Sequence, residues 1–198
     1  MPPKIFVEGR IEFRFDDACW EVEKWDDHPA FTGSLGIRRI NGELTDPVSG
    51  KQLPEGTKAV DFVGLSAGEL YLFEVKDFRG HAAANAHRQE HELPLEIGLK
   101  VRDTIAGLLG AHRMAPSPWL ERVAGALCER TRRLHVIAWI VEDTPQARRD
   151  RRVHIKTTGV RSDQLQRRLS WCTRKAWADD PLDPSIVLPG VQARTLHA

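Results

Sequence analysis

Asp61, Glu74 and Lys76 place two carboxylates and one ammonium on a single short segment of the 198-residue chain. Residues 59–65 and 70–75 are apolar strand-forming runs, and Ser66-Ala67-Gly68-Glu69 between them has the composition of a tight turn, in which Gly68 can take positive φ. With Ala67-Gly68 as the loop, Asp61 stands directly opposite Glu74, where paired Cβ atoms lie roughly 4.5–5.5 Å apart. Lys76, two residues beyond Glu74, projects from the same face. Two carboxylates about 5 Å apart repel by roughly 3 kcal/mol at an effective dielectric of ~20, and a purely structural hairpin gains nothing from that. A divalent cation between them reverses the sign. Hard cations such as Mg²⁺ take carboxylate oxygens, lower the pKa of a bound water and stabilise a phosphate leaving oxygen. Lys76 would help to deprotonate the attacking water or neutralise the developing charge. A plain salt bridge on a solvated edge calls for polar–apolar alternation. Here Val63, Leu65, Leu70 and Leu72 share the charged face while Phe62, Tyr71, Phe73 and Val75 take the other, as in a strand pair covered on both sides.

A second pattern competes. His87-Arg88-Gln89-Glu90-His91 spells H-x-x-E-H, which on a helix puts His87 and His91 on one face for Zn²⁺ with Glu90 as base. Its surroundings are polar, Pro94 interrupts it, and Glu96, Glu121 and Glu129 offer no distinctive third ligand. A zinc peptidase is therefore the remote reading, and a solvated helix face whose histidines meet phosphate is the plainer one.

Asp61, a turn, then Glu74-Val75-Lys76 resembles the PD-(D/E)XK nuclease superfamily, the restriction-endonuclease-like fold. The match covers about residues 57–80 and departs at Val60, where the motif has proline. The resemblance implies an α/β fold with a mixed central sheet flanked by helices in αβββαβ order. It also implies Mg²⁺, replaceable by Mn²⁺, on the Asp61 and Glu74 carboxylates and the Val75 carbonyl. The family often adds one acid upstream. Glu21, Glu23, Asp26 and Asp27 are the candidates, and Asp27 is taken. Asp61, Glu74 and Lys76 would then be the catalytic residues of an Mg²⁺-dependent endonuclease acting on DNA, in defence or repair. The alternative is a nuclease-fold nucleic-acid-binding or regulatory subunit without turnover.

Composition fits such a domain. The chain is 41% hydrophobic and 29% charged, as in a globular protein, with no apolar run long enough to span a membrane. Cys19, Cys128 and Cys172 are scattered and odd in number, which suggests neither a zinc knuckle nor a disulfide framework. With free thiols and no signal-peptide core at the start, a cytoplasmic location is expected. The net charge of +1 hides an asymmetry: residues 148–175 hold ten Lys or Arg against Asp150 and Asp163. A basic block beside an acidic, cation-holding centre suits a phosphodiester substrate. Arg167, Arg168, Arg174 and Lys175, with Lys100 and Arg102, are the candidate phosphate contacts. No separate sequence-reading segment stands out, so specificity would come from DNA structure, a homodimer or a larger complex.

The elements that must position these groups follow from periodicity. One domain is expected, with strands or a helix and a loop over 1–56, a core over 57–160, a basic helix over 161–178 and a tail over 179–198. Residues 11–15 and 19–25 alternate as a hairpin, and Asp26-Asp27-His28-Pro29 reads as an acid-capped helix start. Residues 95–112 and 119–131 show helical apolar spacing, 134–141 reads as a buried strand parallel to that of Glu74, and 153–158 reads as an edge strand. A last helix is expected from Ser162 or Asp163, with Leu165, Leu169, Cys172 and Ala176 as its apolar stripe.

Overall fold

The structure, a computed structural model, describes residues 2–33, 57–80, 92–143 and 148–196, with side chains of the last stretch from residue 157 onward. The expected hairpin is β4 (Phe62–Ser66) and β5 (Glu69–Asp77), antiparallel with Phe62 opposite Phe73 and Leu65 opposite Leu70. Ala67 (φ 49°) and Gly68 (φ 78°) close it, both in the left-handed region that a two-residue turn with this strand twist demands. β3 (Glu21–Lys24) pairs antiparallel with β4 on its other edge. β6 (Leu134–Val141) and β7 (Lys175–Asp179) add in parallel beyond β5, giving the mixed order β3-β4-β5-β6-β7. A second, antiparallel sheet has the order β1-β2-β8, from β1 (Lys4–Glu8), β2 (Ile11–Phe15) and β8 (Val191–Thr195).

The two faces of the hairpin meet different layers. Val63, Leu65, Leu70 and Leu72 pack with Val136 and Ala138 under three helices: α2 (Leu93–Met114), α3 (Pro118–Cys128) and α4 (Arg148–Leu169). Ile97, Val101 and Leu108 of α2, Leu120 and Val123 of α3, and Leu165 and Leu169 of α4 supply that side at helical spacing. Phe62, Phe73, Val75 and Trp139 instead face Ile11, Phe13 and Phe15 of the second sheet, with the Phe13 and Trp139 rings stacked at 4.7 Å. The architecture is thus a mixed α/β sandwich whose central sheet is covered by helices on one face and by a small sheet on the other.

Several expectations fail for physical reasons. Strands form near residues 11–15 and 21–24, but they do not pair: the Asp16 carbonyl accepts the amides of Cys19 and Trp20 at 2.9 Å and turns the chain from one sheet into the other. The αβββαβ order expected a helix before β3, where β1 and β2 stand. α1 (Pro29–Thr32) follows β3, spans four residues and is capped by His28 rather than by an acid. Residues 153–158 belong to α4, continuous with the turns that bury Arg161, Leu165 and Leu169. That helix ends at Leu169, so Cys172 lies in a turn and Ala176 in β7. Gln166 and Ser162 of α4 hold the exposed edge of β7, accepting the Ala176 and Ala178 amides at 3.0 Å each. The expected tail contributes β8, antiparallel to β2.

Gly64 is closely packed within the hairpin. A Cβ there would lie 3.0 Å from Val22 Cγ2 and 3.4 Å from Trp20. Gly64→Val should cost about 1–3 kcal/mol through overpacking. Gly110→Ala, which meets nothing within 4 Å on α2, should add about 0.5–1 kcal/mol. Urea midpoints of the two variants moving in opposite directions would check the packing.

Candidate metal centre

Asp61 precedes β4 and is held from three sides. Its Oδ2 accepts the Val75 amide at 2.6 Å, and its carbonyl accepts the Trp25 amide at 2.8 Å. The strand leading to it is fixed by α2, where Thr104 Oγ1 accepts the Val60 amide at 3.0 Å and Asp103 Oδ2 accepts the Lys58 amide at 3.2 Å. The contact between Trp25 and Asp61 brings the next residue, Asp26, beside the Asp61 carboxylate. Glu8, at the end of β1, comes from the second sheet. One carboxylate oxygen from each of Glu8, Asp26 and Asp61 lies within 4.8 Å of the others. Oxygens on opposite sides of one hard cation are about 4–5 Å apart, twice the metal–oxygen distance. Hard oxygen donors at this spacing fit a divalent cation, and Asp26 Oδ1, buried without a hydrogen-bond partner, offers a ligand position.

Burial pushes the Asp61 carboxyl up to about 8, helped by the nearby charge of Glu74. Burial likewise raises Asp26, to about 6. At both groups the loss of hydration outweighs the nearby lysines, Lys100 for Asp61 and Lys24 for Asp26.

Glu74 is fully buried and lies on the same face as Asp61, but it is not one of the three converging acids. Its Oε1 receives Lys100 Nζ at 2.6 Å and Lys76 Nζ at 3.0 Å, while Oε2 is buried without a partner. Lys76 also reaches Glu96 Oε1 at 2.9 Å. Burial opposes the Lys76 charge, but Glu74 and Glu96 outweigh it and hold the ammonium above the ordinary lysine pKa. Ala138 sits beside Glu74 in the adjoining strand β6, with Ala178 of β7 next to it in turn.

Of the residues singled out from sequence, Asp61, Glu74, Lys76 and Val75 share this region. The Val75 amide faces Asp61, and in a strand the carbonyl of the same residue leaves on the same edge. Lys100 stands inside the cluster on Glu74, not on an open surface. Asp27 is the correction: its carboxylate is 70% exposed and pairs with Lys24 at 3.1 Å, and the upstream acid beside Asp61 is Asp26. Glu8 and Glu96 carry no local sequence signal for this site, because only the meeting of distant elements brings them there. Arg102 pairs with its neighbour Asp103, and Arg167, Arg168, Arg174 and Lys175 are exposed. Lys175 opens β7 in register with His135 and Tyr71, toward the end of the parallel strands away from Lys76. His87, Glu90 and His91 lie outside the described residues. No helix among the described residues is long and apolar enough to cross a membrane.

No family model and no solved structure matches the chain. It is similar to the cysteine–tRNA ligase of Neisseria meningitidis serogroup A, 27% identical over 122 residues, an alignment that covers 53% of this chain and 16% of the ligase. The chain therefore matches only a small part of that enzyme's length, and the likeness assigns it to no family.

The raised Asp61 pKa has a definite consequence. Between the unfolded carboxyl value near 4 and about 8, the folded protein holds a proton that the unfolded chain releases, so this group makes stability fall as pH rises through that window. Asp61→Asn, which keeps the acceptor for Val75, should gain in melting temperature relative to wild type as pH rises from 4 to 8. Mg²⁺ should raise the wild-type melting temperature more at pH 8 than at pH 5, because the ligands must be ionised. A pH-independent difference between the two proteins would refute the assignment.

Proposed function

We propose that the protein is a metal-dependent nuclease of the PD-(D/E)XK type that hydrolyses phosphodiester bonds in DNA. The observation that carries the reading is the pairing of Lys76 with Glu74 at 3.0 Å on the strand whose Val75 amide binds Asp61, beside carboxylates spaced for one cation. The run of three antiparallel strands, a helical crossover and a parallel strand, β3-α1-β4-β5-α2-α3-β6, supports it. The helix expected ahead of β3 is the departure.

A divalent cation such as Mg²⁺ or Mn²⁺, bound by Asp61 with Asp26 and Glu8 and adjoined by the Val75 carbonyl, would supply a lower-pKa water and charge stabilisation at a phosphoryl oxygen. The chain's own groups define the rest. Water oxygen adds to phosphorus as its proton passes to bulk water, the bond to the leaving sugar oxygen breaks, and that oxygen takes a proton from bulk water in return. Lys76 enters this step as an ammonium, because Glu74 and Glu96 keep it protonated. It therefore meets developing negative charge and does not take a proton from water. Glu96 fixes its position and Lys100 adds a second positive charge next to it.

Asp61→Ala, Glu74→Gln and Lys76→Ala should each lower Mg²⁺-dependent cleavage by at least about 10²-fold while circular dichroism stays native. The assay uses single- and double-stranded DNA and RNA, with EDTA as the blank and Mn²⁺ as a substitute for Mg²⁺. Full cleavage by any purified variant would defeat the proposal.

A further inference from the structure

α2 carries two functional flanks. Glu96 and Lys100 face Lys76 and Glu74. Leu95, Gly98, Leu99 and Arg102 recur at helical spacing on another side, where they line a groove of about 370 Å³ with Arg168 and Trp171 from the end of α4. The lining holds two arginines and no acid. Trp171 is 58% exposed and Leu95 47% exposed, so a large aromatic face and an aliphatic floor lie open to solvent. The turn that presents Trp171 is ordered: the Leu169 carbonyl accepts the amides of Cys172 and Thr173, each at 2.9 Å. The Arg102 guanidinium leans on Asp103 yet stays 61% exposed. Arg168 stands where α4 closes on α2, its Cβ 3.9 Å from the position a Gly98 Cβ would take.

An apolar face set between cations matches one chemistry well. A single strand of DNA offers bases that stack on an aromatic ring, and phosphates at either side of each base that arginines neutralise. A duplex hides its base faces, and an apolar protein partner would desolvate both guanidiniums, of which, among the described residues, Arg102 alone has a carboxylate, Asp103, beside it. We propose that this groove is a single-strand subsite, in which Trp171 stacks on a base while Arg102 and Arg168 take the flanking phosphates. The inference rests on the nuclease reading for its substrate class. The groove and the lysine pair occupy separate flanks of one helix about 10–12 Å across, so a strand seated on Trp171 would reach the lysines within a few nucleotides. The basic block would thus act on substrate through its C-terminal end, at Arg168 and Trp171.

The test is fluorescence anisotropy of a labelled oligodeoxythymidine with the full chain in EDTA, so that binding is read without turnover. Trp171→Ala should weaken binding by roughly 5- to 150-fold, and Trp171→Phe should restore most of it. Arg102→Gln with Arg168→Gln should reduce the slope of log affinity against log salt by about 1.4, the value for two phosphates on a single strand. Affinity for a blunt duplex should change less than twofold in Trp171→Ala. Single-strand affinity unchanged in Trp171→Ala and in the double arginine variant would overturn the subsite, whether or not the wild type cleaves DNA. So would a Trp171-dependent dimer with unaltered oligonucleotide affinity, which would give the groove to a second copy of the chain. Trp171-dependent binding without metal-dependent cleavage by the wild type would keep the subsite and sink the nuclease reading instead.

Discussion

Glu74 is a carboxylate with no exposure to solvent, and the region around it is arranged to make that tolerable. An ion in such a place is strongly destabilising unless counter-charges reach it in good geometry. Lys76 comes from its own strand, but Lys100 must come from α2, which is why that helix is fixed to the hairpin by polar contacts as well as by Ile97 and Val101. Thr104 and Asp103 hold the backbone of Val60 and Lys58, and Glu96 holds the far side of Lys76. Helix, strand and the segment before β4 are therefore coupled through charge. Shifting one of them leaves a buried ion without its partner.

The layering explains where the acids meet. The helix-covered face of the central sheet carries Asp61 and Glu74, while the opposite face is filled by aromatic rings against β1 and β2. Glu8 ends β1 at the rim of that second layer, and Asp26 leaves β3 at the edge of the first. The carboxylates converge where the two layers run out of apolar side chains, so that acids can gather there without disrupting either core. Lys24, bridging Glu8 at 3.0 Å and Asp27 at 3.1 Å, closes the outer side.

Local pattern made the hairpin legible. Ala67-Gly68 set the register, two-faced apolarity sets the burial, and together they put Asp61 opposite Glu74 without any tertiary contact. The partners were not legible, because Glu8, Asp26 and the α2 pair Glu96 and Lys100 reach the site from three separate segments. Asp26 and Asp27 differ by one position, and only the direction in which the chain leaves β3 decides which of them turns inward. The stretch around Val153 shows the other limit: β-branched residues favour a strand locally, but the stretch continues the helix that buries Arg161, Leu165 and Leu169. Trp171 carried no periodic signal, and its exposure appears only once α4 ends at Leu169.

The two oxygens of Glu74 carry different loads, and that difference links the two halves of the site. Oε1 holds both lysines, whereas Oε2 is buried and unpartnered on a side chain whose charge already acts on Asp61. The surrounding acids, Glu8, Asp26, Asp61, Glu74 and Glu96, outnumber the lysines Lys24, Lys76 and Lys100, so a phosphate approaching this region alone meets net repulsion. Positive charge added beside Asp61 would remove that repulsion. It would also draw on Oε2 and weaken the hold of Oε1 on Lys76 and Lys100, leaving both ammoniums freer to turn toward an anion. On the proposed nuclease reading, cation and phosphodiester would therefore bind with positive cooperativity, through a single carboxylate that answers to both.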